Sequence, residues 1–139
     1  MIKKIISILI FSFLPITIVL AQRFPVQRDT TNVANMQFEN NHFAFGDLAQ
    51  GQRVNHIYEF KNTGKVPLVI SNVLVTCGCT VPEWPKKPIL KGETGSIRIF
   101  FNTAGKQGFQ NKNITILVNT KHGREILVFN AYVIVPPKK

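Results

Sequence analysis

The chain is poor in the residues most chemistry depends on. Its 139 residues hold two cysteines, three histidines, one tryptophan and seven carboxylates against 17 lysines and arginines. The carboxylates Asp29, Glu39, Asp47, Glu59, Glu83, Glu93 and Glu125 are scattered, and no two are close enough in sequence to suggest an acid-base pair. Beyond residue 21 the serines are Ser71 and Ser96, neither in a strand-to-helix elbow, and no glycine-rich loop suits a phosphate. The histidines His42, His56 and His122 have no ligand-pair spacing, and Met36 is the one methionine after residue 21, which argues against a methionine-rich copper site. The cations form no dense basic helix and no nucleic-acid motif. After residue 21 no apolar run approaches the roughly 20 residues that a membrane span needs.

The one long apolar run stands at the start. "MIKKIISILIFSFLPITIVLA" places Lys3 and Lys4 before a stretch from Ile5 to Leu20, interrupted by Pro15 and ending at the small residue Ala21. This is the pattern of a secretory signal peptide over residues 1–21, cleaved after Ala21. No cysteine lies near the cleavage point, which argues against a lipid anchor there. The expected product is periplasmic or secreted. It retains 139 − 21 = 118 residues, enough for one domain, and a charge of 15 − 7 = +8. A basic surface is by default a solvated one; it also suits an acidic envelope glycan, lipid surface or acidic protein, and charge alone chooses none of these. The partner expected is another envelope protein or an acidic glycan.

What is abundant points to strands. After residue 21 there are 12 valines, nine isoleucines and nine phenylalanines against six leucines and five alanines. Branched and aromatic side chains fit a pleated, half-buried surface, whereas helices favour alanine and leucine. Val54, His56, Tyr58 and Phe60 alternate along one face, as do Ile97, Ile99 and Phe101, and Leu127, Phe129, Ala131 and Val133. Runs at "HFAF", "VNHIYEFKN", "PLVISNVLV", "GSIRIFF", "NITILVN" and "REILVFNAYVIV" are separated by Gly, Asn, Pro and Lys clusters. The predicted fold is an all-β sandwich of about seven strands over residues 38–135. A flexible linker precedes it at 22–37 and a basic tail follows at 136–139. Gly46 suits a turn after the first strand, and "NTG" at 62–64 and Gly92 suit further turns.

The stretch "TCGCTVPEWPKKP", residues 76–88, holds both cysteines. In an extended strand Cys77 and Cys79 would share a face with Cα atoms about 6.6–6.8 Å apart. A disulfide needs closer approach, so it requires a bend at Gly78. Such a bond closes a ring of about three residues, and the chain-entropy estimate for it is only about 1.6 kcal/mol, against about 3 kcal/mol for a 15-residue loop. Three readings stand side by side: a packed pair at a strand end, a thiol-redox pair, and a soft-metal site using Cys77 and Cys79. Trp84, between prolines and beside Lys86 and Lys87, is either a rigid binding anchor or a plug for one end of the sandwich.

"FAFGDLAQG", "VNHIYEFKNTGKVPLVISNV", "CGCTVPEWPKKPILKGETGSIRIFFNTAGKQG" and "LVFNAYV" together resemble an uncharacterised exported bacterial family marked by Cys-Gly-Cys-Thr, over roughly residues 38 to 135. The resemblance implies an immunoglobulin-like sandwich, similar to pilus-chaperone and cilia-associated modules, and implies no particular reaction. The expected function is a non-catalytic interaction or structural module of the cell envelope that needs no cofactor. Its candidate binding residues are Cys77, Gly78, Cys79, Thr80 and Trp84. The alternative is a thiol-redox or soft-metal protein acting through the cysteine pair.

Overall fold

The computed structural model describes residues 32–137, so the signal-peptide reading of residues 1–21, the linker up to residue 31 and the last two lysines lie outside the described residues. Eight strands follow in order: β1 (Met36–Phe38), β2 (His42–Ala49), β3 (Arg53–Asn62), β4 (Ile70–Val75), β5 (Thr80–Glu83), β6 (Thr94–Asn102), β7 (Gly108–Val118) and β8 (Arg124–Ile134). They form two four-stranded sheets, ordered β1-β3-β6-β5 and β2-β8-β7-β4. Neighbours pair antiparallel except β2 and β8, which run parallel. The all-β fold expected from the composition is what the chain forms, with the immunoglobulin-like sandwich that the resemblance implied.

Alternation explains the core. Tyr58, Phe60, Ile97, Ile99 and Phe101 of the first sheet are buried against Ile114, Ile116, Leu127, Phe129 and Ala131 of the second. Successive side chains on a strand point to opposite faces, so every second residue enters the interlayer space. Each large apolar side chain fully buried there contributes about 1.5–3 kcal/mol. Burial pushes the Tyr58 phenol above its ordinary pKa, and the protonated hydroxyl donates to the Val128 carbonyl at 2.9 Å, tying the two layers together.

Four details differ from the sequence reading. The domain begins earlier than residue 38: Ala34 and Met36 are buried, and β1 pairs with the end of β3. The segment 80–83, which lies outside the predicted strand runs, is an edge strand on β6, a place where Pro82 costs no ladder bond to a further strand. Strand β7 starts at Gly108, five residues before the expected start, because its polar Asn111 and Asn113 face outward while the pairing with β8 continues past them. Gly46 makes no turn: with φ of 71° it sits in a bulge between Ala44 and Asp47, and β2 resumes its pairing with β8 beyond it.

The strand directions define two ends. At one, β3 finishes at Asn62 and the segments 63–69, 84–93 and 119–123 gather. At the other, β3 begins at Arg53 and the turns 50–52, 76–79 and 103–107 gather.

Candidate functional site

The cysteine pair occupies the crossing from β4 of one sheet to β5 of the other. Cys77 and Cys79 are joined by a disulfide with Cα atoms 5.2 Å apart, closer than an extended strand allows, so the chain bends at Gly78 as the spacing required. The bend is closed by the Thr80 amide donating to the Cys77 carbonyl at 3.3 Å. The Asn102 amide donates to the Cys79 carbonyl at 2.9 Å and holds the corner to the end of β6.

Thr80, only 3% exposed, sits beneath the bond. Its Oγ1 lies 3.8 Å from Cys77 Sγ and 3.9 Å from Cys79 Sγ. Disulfide sulfurs carry no hydrogen, so the hydroxyl is the donor in either contact. Both cysteines are half-buried. Bonded to one another, the sulfurs are not thiolate ligands, and among the described residues no three His, Cys, Asp or Glu side chains gather to hold a metal ion. Soft-metal binding would therefore first require reduction.

Beside the bond, on the outer face of the first sheet, a hollow of about 420 Å³ is lined by Arg53, Gly78, Cys79, Val81, Phe100, Phe101 and Asn102. Val81, 56% exposed, stands opposite Phe100 in the β5–β6 pairing. Gly78 lies between the sulfurs with open space around it. Apart from the two adjacent cysteines, a Cβ there would meet nothing within 4 Å, and its φ is outside the left-handed region.

Trp84 is not part of this corner. It follows the far end of β5, half-buried against the core, with Lys86 Nζ 3.0 Å from its ring centroid. Its buried Nε1 has no hydrogen-bond partner among the described residues. One ring face is covered by a lysine and the side chain packs inward, so the plug reading fits this geometry better than the anchor reading. Cys77, Gly78, Cys79 and Thr80 are therefore brought together, and Trp84 is held apart from them.

The histidines form no ligand set. His56 stacks on Phe43 with ring centroids 3.6 Å apart and 11° between planes, and meets Tyr58 edge-on at 4.6 Å. Burial lowers its pKa, which keeps the imidazole neutral as an aromatic packing unit. His42 is exposed on β2, its Nε2 3.1 Å from Asn130 Nδ2.

Two features escaped the sequence reading. One is an apolar patch on the outer face of the second sheet: Phe109 is 67% exposed and stands opposite Tyr132, 51% exposed, with Ile134 two residues further along the same face of β8. The signal for it is parity, since inward Ala131 and Val133 force Tyr132 and Ile134 outward. The other is the state of the sheet edges. β1 has three residues, β5 has four including Pro82, and β2 and β4 each carry a bulge. Short, proline-bearing or bulged edges resist the addition of a foreign strand.

Comparison with known proteins agrees with this architecture. Residues 36–133 match a family described as protein of unknown function (DUF1573). A crystal structure of a protein of unknown function from Porphyromonas gingivalis W83 superposes with a TM-score of 0.65 at 19% identity, over 79% of this chain and 51% of that one. The ASH / PapD-like domain 7 of human CEP192 gives 0.53 at 12% identity, over 84% and 94% of the two chains. The Vibrio cholerae VesB protease gives 0.54 at 12% identity, over 74% of this chain and 32% of the protease. The chain thus spans about half the length of the Porphyromonas protein and about a third of the protease. At these identities the likeness shows the fold alone. No curated protein matches the chain in sequence.

Proposed function

The chain belongs to the DUF1573 family of proteins of unknown function, and from that premise we propose that it is a non-catalytic interaction module, exported to the bacterial cell envelope, that binds another envelope protein face-on. Export rests on the charged, apolar and small-residue pattern of residues 1–21. The same reading takes the Cys77–Thr80 run as a signature of the exported family.

The observation that carries the binding role is the Phe109, Tyr132 and Ile134 patch. Large apolar side chains exposed together are costly in water and mark contact surfaces. Aromatic residues supply much of the energy in protein interfaces. Because the sheet edges are short, bulged or proline-bearing, the contact is through this face rather than by strand addition. The basic surface adds attraction to an acidic partner.

The test is capture from an envelope extract with wild type and with the double variant Phe109→Ser, Tyr132→Ser. Both side chains are largely exposed, so the melting temperature should change little, while recovery of the captured protein falls by about tenfold or more. Equal recovery by the two would overturn the reading. Recovery of an acidic glycan in place of a protein would replace the proposed partner class.

A further inference from the structure

We infer that the Cys77–Cys79 disulfide is a thiol-exchange site that accepts electrons from a cysteine pair on an exported protein partner seated in the hollow beside Cys79. The site lies on the outer face of the first sheet, whereas the proposed docking patch lies on the outer face of the second. Either one stands if the other fails.

Three observations carry this inference. First, the bond connects nothing distant: both sulfurs belong to one four-residue crossing, and neither cysteine lies in a paired strand. These are the only two cysteines in the chain, and as a staple they would be misspent on so small a ring. Second, the bond is approachable. Cys79 lines a hollow with the apolar Val81 and Phe100 and the cationic Arg53, a surface suited to a peptide carrying an apolar residue beside an anionic thiolate. Gly78 is exposed, and apart from its two chain neighbours it has neither a steric neighbour nor a left-handed φ to account for it. Third, the leaving sulfur has a ready donor, because the buried Thr80 hydroxyl lies 3.8 Å from Cys77 Sγ.

The exchange balances without a further reactant. A partner thiol loses its proton to solvent, and its thiolate attacks Cys79 Sγ. The Sγ–Sγ bond breaks, and its electron pair stays on Cys77, which takes up a proton with Thr80 as hydrogen-bond donor. The partner's second thiolate then attacks the partner sulfur of the mixed disulfide, and Cys79 leaves and is protonated. Two partner thiols become one disulfide, and the two electrons and two protons reside on Cys77 and Cys79.

Reduced and oxidised glutathione serve as the probe, with alkylation and mass measurement for the redox state and circular dichroism for the fold. The native pair should pass from oxidised to reduced as the proportion of reduced glutathione rises, with the spectrum unchanged. A pair that stays oxidised until the protein is unfolded in urea, or a fold that collapses on reduction, would overturn the inference. In the Cys77→Ser variant, Cys79 should form a mixed disulfide with oxidised glutathione about tenfold faster than Cys77 does in the Cys79→Ser variant, since access limits exchange. Equal rates would remove Cys79 and its hollow as the point of attack. Gly78→Leu should slow reduction by about tenfold through lost access, at unchanged melting temperature. An unchanged rate would show that access over Gly78 plays no part.

Discussion

The two ends of the sandwich are held by different means. At the end where β3 finishes, the fully buried Asn62 joins three segments of chain. Its Nδ2 donates to the carbonyls of Val66 and Ile89, both at 2.9 Å. Its Oδ1 accepts from the amides of Gly64 at 3.0 Å and Asn35 at 3.4 Å. Its own amide donates to the Glu93 carbonyl at 2.9 Å, and its carbonyl accepts from Gly92 at 2.7 Å. At the end where β3 begins, the buried Thr103 hydroxyl reaches the carbonyls of Ala49 at 2.7 Å and Gln52 at 2.9 Å, and the disulfide spans only its own turn. The covalent bond is local, while the neutral amide is long-range. A side chain that satisfies several buried backbone groups at once is costly to remove, whatever its chemical reactivity.

The largest expected effect is at the amide. Asn62→Ala leaves the carbonyls of Val66 and Ile89 and the amides of Gly64 and Asn35 without their partner, and should cost about 3–4 kcal/mol in urea unfolding. Next is Gly64→Ala at the same end. An added Cβ would overlap the backbone of Ala34 and Asn35, for an expected cost of about 1–3 kcal/mol by the same measurement. The smallest is at the other end, where Cys77→Ser, Cys79→Ser should cost at most about 1.6 kcal/mol. A double cysteine variant less stable than Asn62→Ala would reverse the comparison. A Gly64→Ala protein as stable as wild type would show that the segment preceding β1 gives way at that contact.

Legibility followed the range of the interactions involved. Ile97, Ile99, Phe101, Leu127, Phe129, Ala131 and Val133 were predicted inward from alternation and are buried, because burial on one sheet face imposes a period of two on neighbouring residues. The bend at Gly78 was likewise legible, since a Cys-Gly-Cys disulfide cannot close on an extended chain. β1 carried the same alternation in Ala34, Met36 and Phe38, but three residues are too few to separate a strand from a linker. β5 exists through its pairing with β6, and Pro82 within it argues locally against a strand. Phe109 was unread because it precedes the run expected to start at residue 113. Asn62 was visible as part of a turn sequence, but its side-chain partners lie up to 27 positions away, at Asn35 and Ile89.

By itself the sequence determined the layers: branched and aromatic residues at alternating positions must bury one face, and two such faces exclude water only by closing on each other. The tertiary structure alone decided which surfaces were left over. Which strands stand at edges, which aromatic pair faces solvent and what stands open beside the sulfurs depend on residues far apart in the chain meeting in space, and no local pattern encodes that meeting.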